Sequence, residues 1–258
     1  MRLEQTSEQR LDQKVALVTS SRQGICASTA QQLARAGAKV MVCGRNAAQG
    51  QATVQQIHRE GGRASFVLAD TAIAADVQSV IDETIATYGR LDILFNSASS
   101  RYPRDGSLLE VSEATWDRII ETTLKATFFC CQQALPFLQQ SQHGTIINLV
   151  EQLPDLPVRL TAAICQGGLL AMTGAIAQQF PASVVRANLI LAKPPSAGLS
   201  AALGLMIEPI LYGPLASDRP FADIAEAVMY LADHSDALHG SALIVNVASD
   251  FETASESA

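Results

Sequence analysis

The chain has 258 residues, 48% hydrophobic and 17% charged, with a formal net charge of −7. That composition allows a sizeable core and argues against a disordered chain. It has no run of Lys or Arg that would suit nucleic acid or an anionic membrane surface.

The N-terminal stretch MRLEQTSEQRLDQK is polar and lacks the apolar stretch of a secretory signal. No apolar run reaches the roughly 18 residues a membrane helix needs. A cytoplasmic protein with no membrane or nucleic-acid partner is expected. Cys26, Cys43, Cys130, Cys131 and Cys165 form no C-x-x-C pair and no Cys/His cluster. They read as buried, reduced thiols, and no metal site is expected. The four histidines are scattered and read as surface or helix-end residues.

Strand and helix patterns alternate along the chain. KVALVTS (14–20) is a β-rich run, and GICASTAQQLARAGA (24–38) has helical spacing. KVMVCG (39–44) is the next strand, and the helix NAAQGQATVQQIHREGG (46–62) closes on glycines. RASFVLAD (63–70), the helix ADVQSVIDETIATYG (75–89) and the strand LDILFNSAS (91–99) follow. One long helix is expected over about 112–140, a strand at GTIINLV (144–150) and a helix over about 160–180. SVVRANLIL (183–191) and SALIVNV (241–247) complete seven strands. The alternation predicts an α/β fold: a parallel sheet with helices on both faces. A single domain over 1–258 is expected. Its tails, 1–12 and 251–258, are expected to be flexible, with a variable segment at 193–220 that holds five prolines.

Along nearly its whole length the sequence resembles the short-chain dehydrogenase/reductase family. The resemblance rests on seven landmarks in order. They include the opening β-α-β unit from Lys14 to Asn46, GRLDILFNSAS, GTIINLV, VRANLIL and the segment 221–246. It implies a Rossmann-type doubly wound sheet ordered 3-2-1-4-5-6-7, a bound NAD(P) and a dimer or tetramer. It also implies four chemical groups. A tyrosine serves as acid/base, and a lysine four residues on lowers its pKa from about 10. A serine holds the substrate oxygen, and an asparagine supports a proton-relay water.

Matched position by position, all four groups are replaced. The serine position is Glu151, the tyrosine Ala162, the lysine Gln166 and the asparagine Thr123. An ungapped match would put tyrosine and lysine on Ile164 and Gly168 instead. No Ser, Tyr or Lys lies between 142 and 182, so no shift restores the set. One positioned acid/base group contributes about 100- to 10,000-fold, and groups that act as a unit fail together.

The implied cofactor site is also eroded. The family's T-G-x-x-x-G-x-G loop reads Thr19-Ser20-Ser21-Arg22-Gln23-Gly24-Ile25-Cys26. Such glycines permit a tight turn, approach to pyrophosphate and close helix–strand packing. Cys26 is expected to push the helix outward. N-N-A-G is replaced by Asn96-Ser97-Ala98-Ser99, P-G by Ala192-Lys193, a threonine by Ala197, and D-G-G by Asn246-Val247-Ala248. Thr19, Gly24 and Asn96 survive, with Arg45 at a 2′-phosphate position and Asp70 at the adenine position. No dinucleotide is expected on this chain.

The implied subunit contacts look better kept. They comprise WDRIIETTLKATFFCCQQALPFLQQ (116–140) with the helix after it, and the segment 221–247. Phe128, Phe129, Phe137 and Leu138 supply apolar area there, about half of which could be core. The favoured reading is a non-catalytic subunit paired with an active family member in a hetero-oligomer, a heterotetramer by analogy, with NAD(P) bound by that partner. The family includes such an arrangement in a 2-[hydroxy(phenyl)methyl]succinyl-CoA dehydrogenase of anaerobic toluene degradation. Two alternatives are a nucleotide-sensing regulatory protein using Arg45 and Asp70, and an enzyme of other chemistry centred on Glu151.

Overall fold

The computed structural model describes residues 10–19, 24–97, 108–141, 143–151, 160–193, 224–233 and 238–246. Seven parallel strands form one sheet in the order β3-β2-β1-β4-β5-β6-β7, as the resemblance implied. They are β1 (Val15–Thr19), β2 (Lys39–Gly44), β3 (Arg63–Leu68), β4 (Ile93–Asn96), β5 (Gly144–Glu151), β6 (Val185–Lys193) and β7 (Ala242–Asn246). The central strands are buried on both faces, β1 and β4 at every residue. That is the signature of a parallel sheet covered by helices.

Helices α1 (Ile25–Arg35), α2 (Ala47–Arg59) and α7 (Ile224–Asp233) pack on one face around Leu33, Val40, Ile57, Val228 and Leu231. Helices α3 (Ala74–Tyr88), α5 (Ala126–Leu138) and α6 (Leu160–Gln179) cover the other face around Met41, Ile81, Leu94, Cys130 and Leu138. The fold is therefore the expected doubly wound Rossmann-type α/β sheet.

The long helix expected over 112–140 is not one uniform α-helix. The Ser112 hydroxyl accepts from the Thr115 N–H and caps α4 (Glu113–Ile120). A π-helical turn (Glu121–Lys125) then joins α4 to α5. Such turns leave the backbone locally wider, and they occur often at functional sites. Thr123, at the family's asparagine position, sits inside this one. The turn after α5 is tight: a Cβ on Gly144 would collide with the Leu138 carbonyl, so β5 can begin directly under the end of α5.

Three other expectations change. Cys26 does not hold α1 off the sheet. Its side chain is buried, with Sγ 3.9 Å from the Thr19 carbonyl. Within the expected flexible tail 1–12, residues 10–12 are packed: Leu11 is buried and its N–H donates to the Ala36 carbonyl at 2.8 Å. Residues 1–9, most of the 193–220 segment and the 251–258 tail lie outside the described residues.

Helix α6 is long and apolar enough to cross a membrane by length and composition, with a mean hydropathy of 1.5, against the expectation of none. It packs on β5, β6, α4 and the π turn, so here it is a layer of the domain. His239 is half-buried, and its ring Nε2 lies 2.8 and 3.0 Å from the Ala177 and Phe180 carbonyls at the end of that helix. It stands in the turn before β7 and meets the end of α6 from there.

Candidate functional site

In a parallel open sheet, ligands bind at the carboxyl ends of the strands. Those ends here are Thr19, Asn96, Glu151 and Lys193. Below them runs a buried polar chain. Thr19 Oγ1 donates to Asn96 Oδ1 at 3.2 Å, and Asn96 Nδ2 donates to Asn148 Oδ1 at 2.9 Å. Asn148 Nδ2 donates to Thr173 Oγ1 at 2.9 Å, and Thr173 donates to the Leu169 carbonyl at 2.7 Å. All four residues are buried. Asn96 Nδ2 also reaches Cys131 Sγ at 3.4 Å. The chain stitches β1, β4, β5 and α6 together and satisfies groups that are costly to bury unpaired. The retained Thr19 and Asn96 therefore have structural work to do, whatever the crevice above them binds.

At the positions where the family places its acid/base pair, the surroundings are apolar. Ala162 and Cys165 on α6 are buried with Ile119 of α4, against half-buried Ile120 and Leu124. Thr123, in the π turn, is fully buried, and its carbonyl accepts from Thr127 Oγ1 at 2.8 Å. Its side chain hydrogen-bonds the Cys165 thiol. Burial pushes that thiol up to about 11, against the Thr123 hydrogen bond. Gln166 is half-buried, one turn beyond Ala162. Of the ungapped alternatives, Ile164 is 37% exposed and Gly168 lies against Leu124, 2.9 Å from where a Cβ would stand. The structure brings Thr123 and the Ala162–Cys165 turn of α6 together, and among these residues none moves a proton near neutral pH. The Glu151 backbone pairs with Ala192 in the β5–β6 ladder; its side chain lies outside the described residues.

The adenosine end keeps more. Gly24 precedes α1 with φ 96°, a conformation glycine adopts without strain. A Cβ there would meet nothing within 4 Å. α1 begins with no side-chain cap; residues 20–23 lie outside the described residues. Asp70 Oδ1 accepts from the Ala72 N–H at 3.1 Å. Its Oδ2 lies 3.7 Å from Arg45 Nη1, with side chains 32% and 68% exposed. The two candidate adenosine-site residues are thus paired with each other. The nicotinamide end does not fit its group: Ala162 and Gln166 offer neither a phenol nor an ammonium. Ala197, Val247 and Ala248 lie outside the described residues, and of Lys193 and Asn246 only the backbone is described.

The other thiols are equally quiet. All five cysteines are buried and unpaired by disulfides. Burial pushes Cys131 up to about 12 and raises Cys130 well above the ordinary value. Thiolate is the reactive form, so Ellman's reagent should find essentially no fast-reacting thiol in the folded chain and five in denaturant. One or more rapidly titrating thiols at neutral pH would show the crevice or core to be open.

Sequence reasoning missed Asn148 and Thr173. They sit in apolar segments 25 residues apart, and nothing in either segment announces the other. It also missed the π turn, because a single widened turn leaves no periodic signal.

A short-chain dehydrogenase family model matches residues 14–194. The chain is 30% identical over 239 residues to the 3-oxoacyl-[acyl-carrier-protein] reductase of Staphylococcus aureus, covering 90% of this chain and 96% of that one. It is 35% identical over 142 residues to a (2S)-[(R)-hydroxy(phenyl)methyl]succinyl-CoA dehydrogenase subunit of Thauera aromatica, covering 55% and 56%. A dehydrogenase/reductase structure from Sinorhizobium meliloti superposes with a TM-score of 0.75 at 25% identity, covering 92% and 94%. With the sheet order, these matches establish that the chain belongs to the short-chain dehydrogenase family.

Proposed function

We propose that this chain is a non-catalytic member of its oxidoreductase family. In this reading it assembles with an active relative that binds NAD(P) and carries out the redox step. The observation that carries the reading is the lining of the crevice. Where proton transfer requires an acid/base pair, α6 supplies Ala162, a thiol pushed up to about 11 and Gln166.

The outer surface supports association. Helix α6 carries no charged residue, and its outward positions Ile164, Ala171 and Ala175 are exposed. On α5, Phe128 is 46% exposed, while Phe129 and Phe137 are half-buried and Leu138 is core. Leu138 thus belongs to the monomer core, and Phe129 and Phe137 are partly packed against it. What remains exposed, Phe128 on α5 and Ile164, Ala171 and Ala175 on α6, is uncharged surface of the kind that can serve protein–protein contact.

A heterotetramer with an active subunit is the assembly proposed, with no dinucleotide held by this chain. The partial match to the Thauera aromatica subunit supports a substrate of the 2-[hydroxy(phenyl)methyl]succinyl-CoA kind, taken by that active subunit. The Arg45–Asp70 contact is a solvent-exposed pair at 3.7 Å, worth about 1 kcal/mol or less, so calorimetry with NAD(H) and NADP(H) is what separates the nucleotide-sensing alternative from this reading.

The test is co-expression with an active family member from the same genome. Made alone, the chain should show no NAD(P)-dependent turnover. The complex should be active, and Tyr→Phe at the active partner's catalytic tyrosine should abolish its turnover. Turnover by this chain alone would overturn the reading. So would a stable monomer that never co-purifies with the relative.

A further inference from the structure

At the pole opposite the crevice, where β1, β4 and β5 begin, the structure holds a second concavity. Its volume is about 570 Å³, and Gln13, Lys14, Ile85, Arg90, Phe137 and Gln140 are among its lining residues. That size lies within the roughly 300–1,000 Å³ of small-molecule sites. The family's catalytic positions all lie at the other ends of these strands, so this is a separate place on the molecule.

Three observations converge on it. The first is backbone strain. Among the described residues, only Gln13 (φ 64°) and His143 (φ 71°) are non-glycine residues with positive φ. Gln13 stands two residues before β1 and lines the pocket; His143 directly precedes β5 at the same pole, outside the lining. Such residues persist where the surroundings over-determine them, and they cluster at ligand-binding and switch segments.

The second is a rigid cation. Buried Asp92 accepts from Arg90 Nε at 2.8 Å and Nη2 at 2.6 Å, from the Ser141 hydroxyl and from the Val15 N–H at 2.9 Å. Lys14 Nζ adds a contact at 3.4 Å. The Arg90 guanidinium is held along one edge, and its Nη1 has no hydrogen-bond partner among the described residues.

The third is the makeup of the wall. Ile85 and Phe137 give it an apolar side, and the exposed Gln140 amide sits near the rim. Lys14 and Arg90 stand against Asp92 and Asp12, so these charges balance; the open Nη1 edge of Arg90 offers donors to a single head group, without the surplus charge a polyphosphate would need.

We propose that this pocket binds a small carboxylate with an apolar body, its head on Arg90 Nη1 and the Gln140 amide and its body against Ile85 and Phe137. The proposal does not depend on whether the crevice at the other pole is catalytic.

Benzoate and hexanoate are the probes, with acetate and benzyl alcohol as controls at matched ionic strength. They are added to the full chain in the assembly in which it purifies. Thermal shift and calorimetry should show saturable binding of benzoate or hexanoate in the millimolar range or tighter. Acetate should fail for want of an apolar body, and benzyl alcohol for want of charge. Gln140→Ala, an exposed change that spares the fold, should weaken binding by about tenfold. Arg90→Gln should weaken it at least as much. Absence of a shift with both probes would overturn the proposal. So would an equal shift with either control, or binding that survives both substitutions.

Discussion

Replacing Asp92 with alanine should lower the unfolding free energy by about 3–5 kcal/mol, the range seen when one partner of a buried ion pair is removed. For a domain of this size that is a fall in Tm of roughly 10 °C. Asp92 is 1% exposed, and its carboxylate joins the segments before β1, β4 and β5 through Lys14, Val15, Arg90 and Ser141. Removing it leaves Arg90 facing an emptied pocket of donors. Burial pushes the Asp92 carboxyl up, but the hydrogen bonds from Arg90, Ser141 and Val15 and the charge of Lys14 outweigh it, so the group lies below the usual carboxylate range. A depressed folded pKa contributes stability that is complete above the unfolded value near 4. That stability is lost as pH falls through the lower folded value. Denaturation followed from pH 7 to pH 2 should show an acid-labile component in the native chain that Asp92→Ala lacks. A Tm change below about 2 °C would show that the hub contributes little.

Ala171→Glu on α6 is expected to separate the proposed subunits. Ala171 lies on the exposed face of a helix with no charge of its own. An unpaired carboxylate buried in an apolar contact costs about 2–5 kcal/mol, or roughly thirty- to several-thousand-fold in the dissociation constant. The chain's circular dichroism should be unchanged, because the side chain points away from the sheet. Ala52→Glu, on the exposed face of α2, is the matched control and should leave co-purification intact. Retention of the complex by Ala171→Glu would place the contact elsewhere.

The layer order was legible because each strand is a short apolar run between amphipathic helices and the landmarks fall in family order. The fate of individual side chains was less so. Asp92 in GRLDILF looks like any polar residue at a strand entrance, because its four partner residues come from three separate segments. Helix α6 was readable in extent, 160–180 against Leu160–Gln179, but not in orientation. Its apolar residues run all the way round, so no periodic stripe marks the inner face. At the site, the missing tyrosine, lysine and serine are visible without coordinates. Sequence could not show that Thr123 would hydrogen-bond Cys165, nor that Arg45 and Asp70 would pair.

The π turn at Glu121–Lys125 also acts as a phase shifter. It takes up one residue more per hydrogen-bonded loop than an α-helix, and one residue is about 100° of rotation. The turn therefore sets the angle between the face of α4 that buries Ile119 and the face of α5 that buries Cys130, Ala134 and Leu138. Deleting one residue from it would turn α5 by a little over a quarter of a revolution against the sheet. Phe128 would then swing out of its exposed position, and the Cys131 thiol would leave its contact with Asn96. Core and outer surface of this helix pair are thus keyed to each other by five residues, so neither can drift without the other.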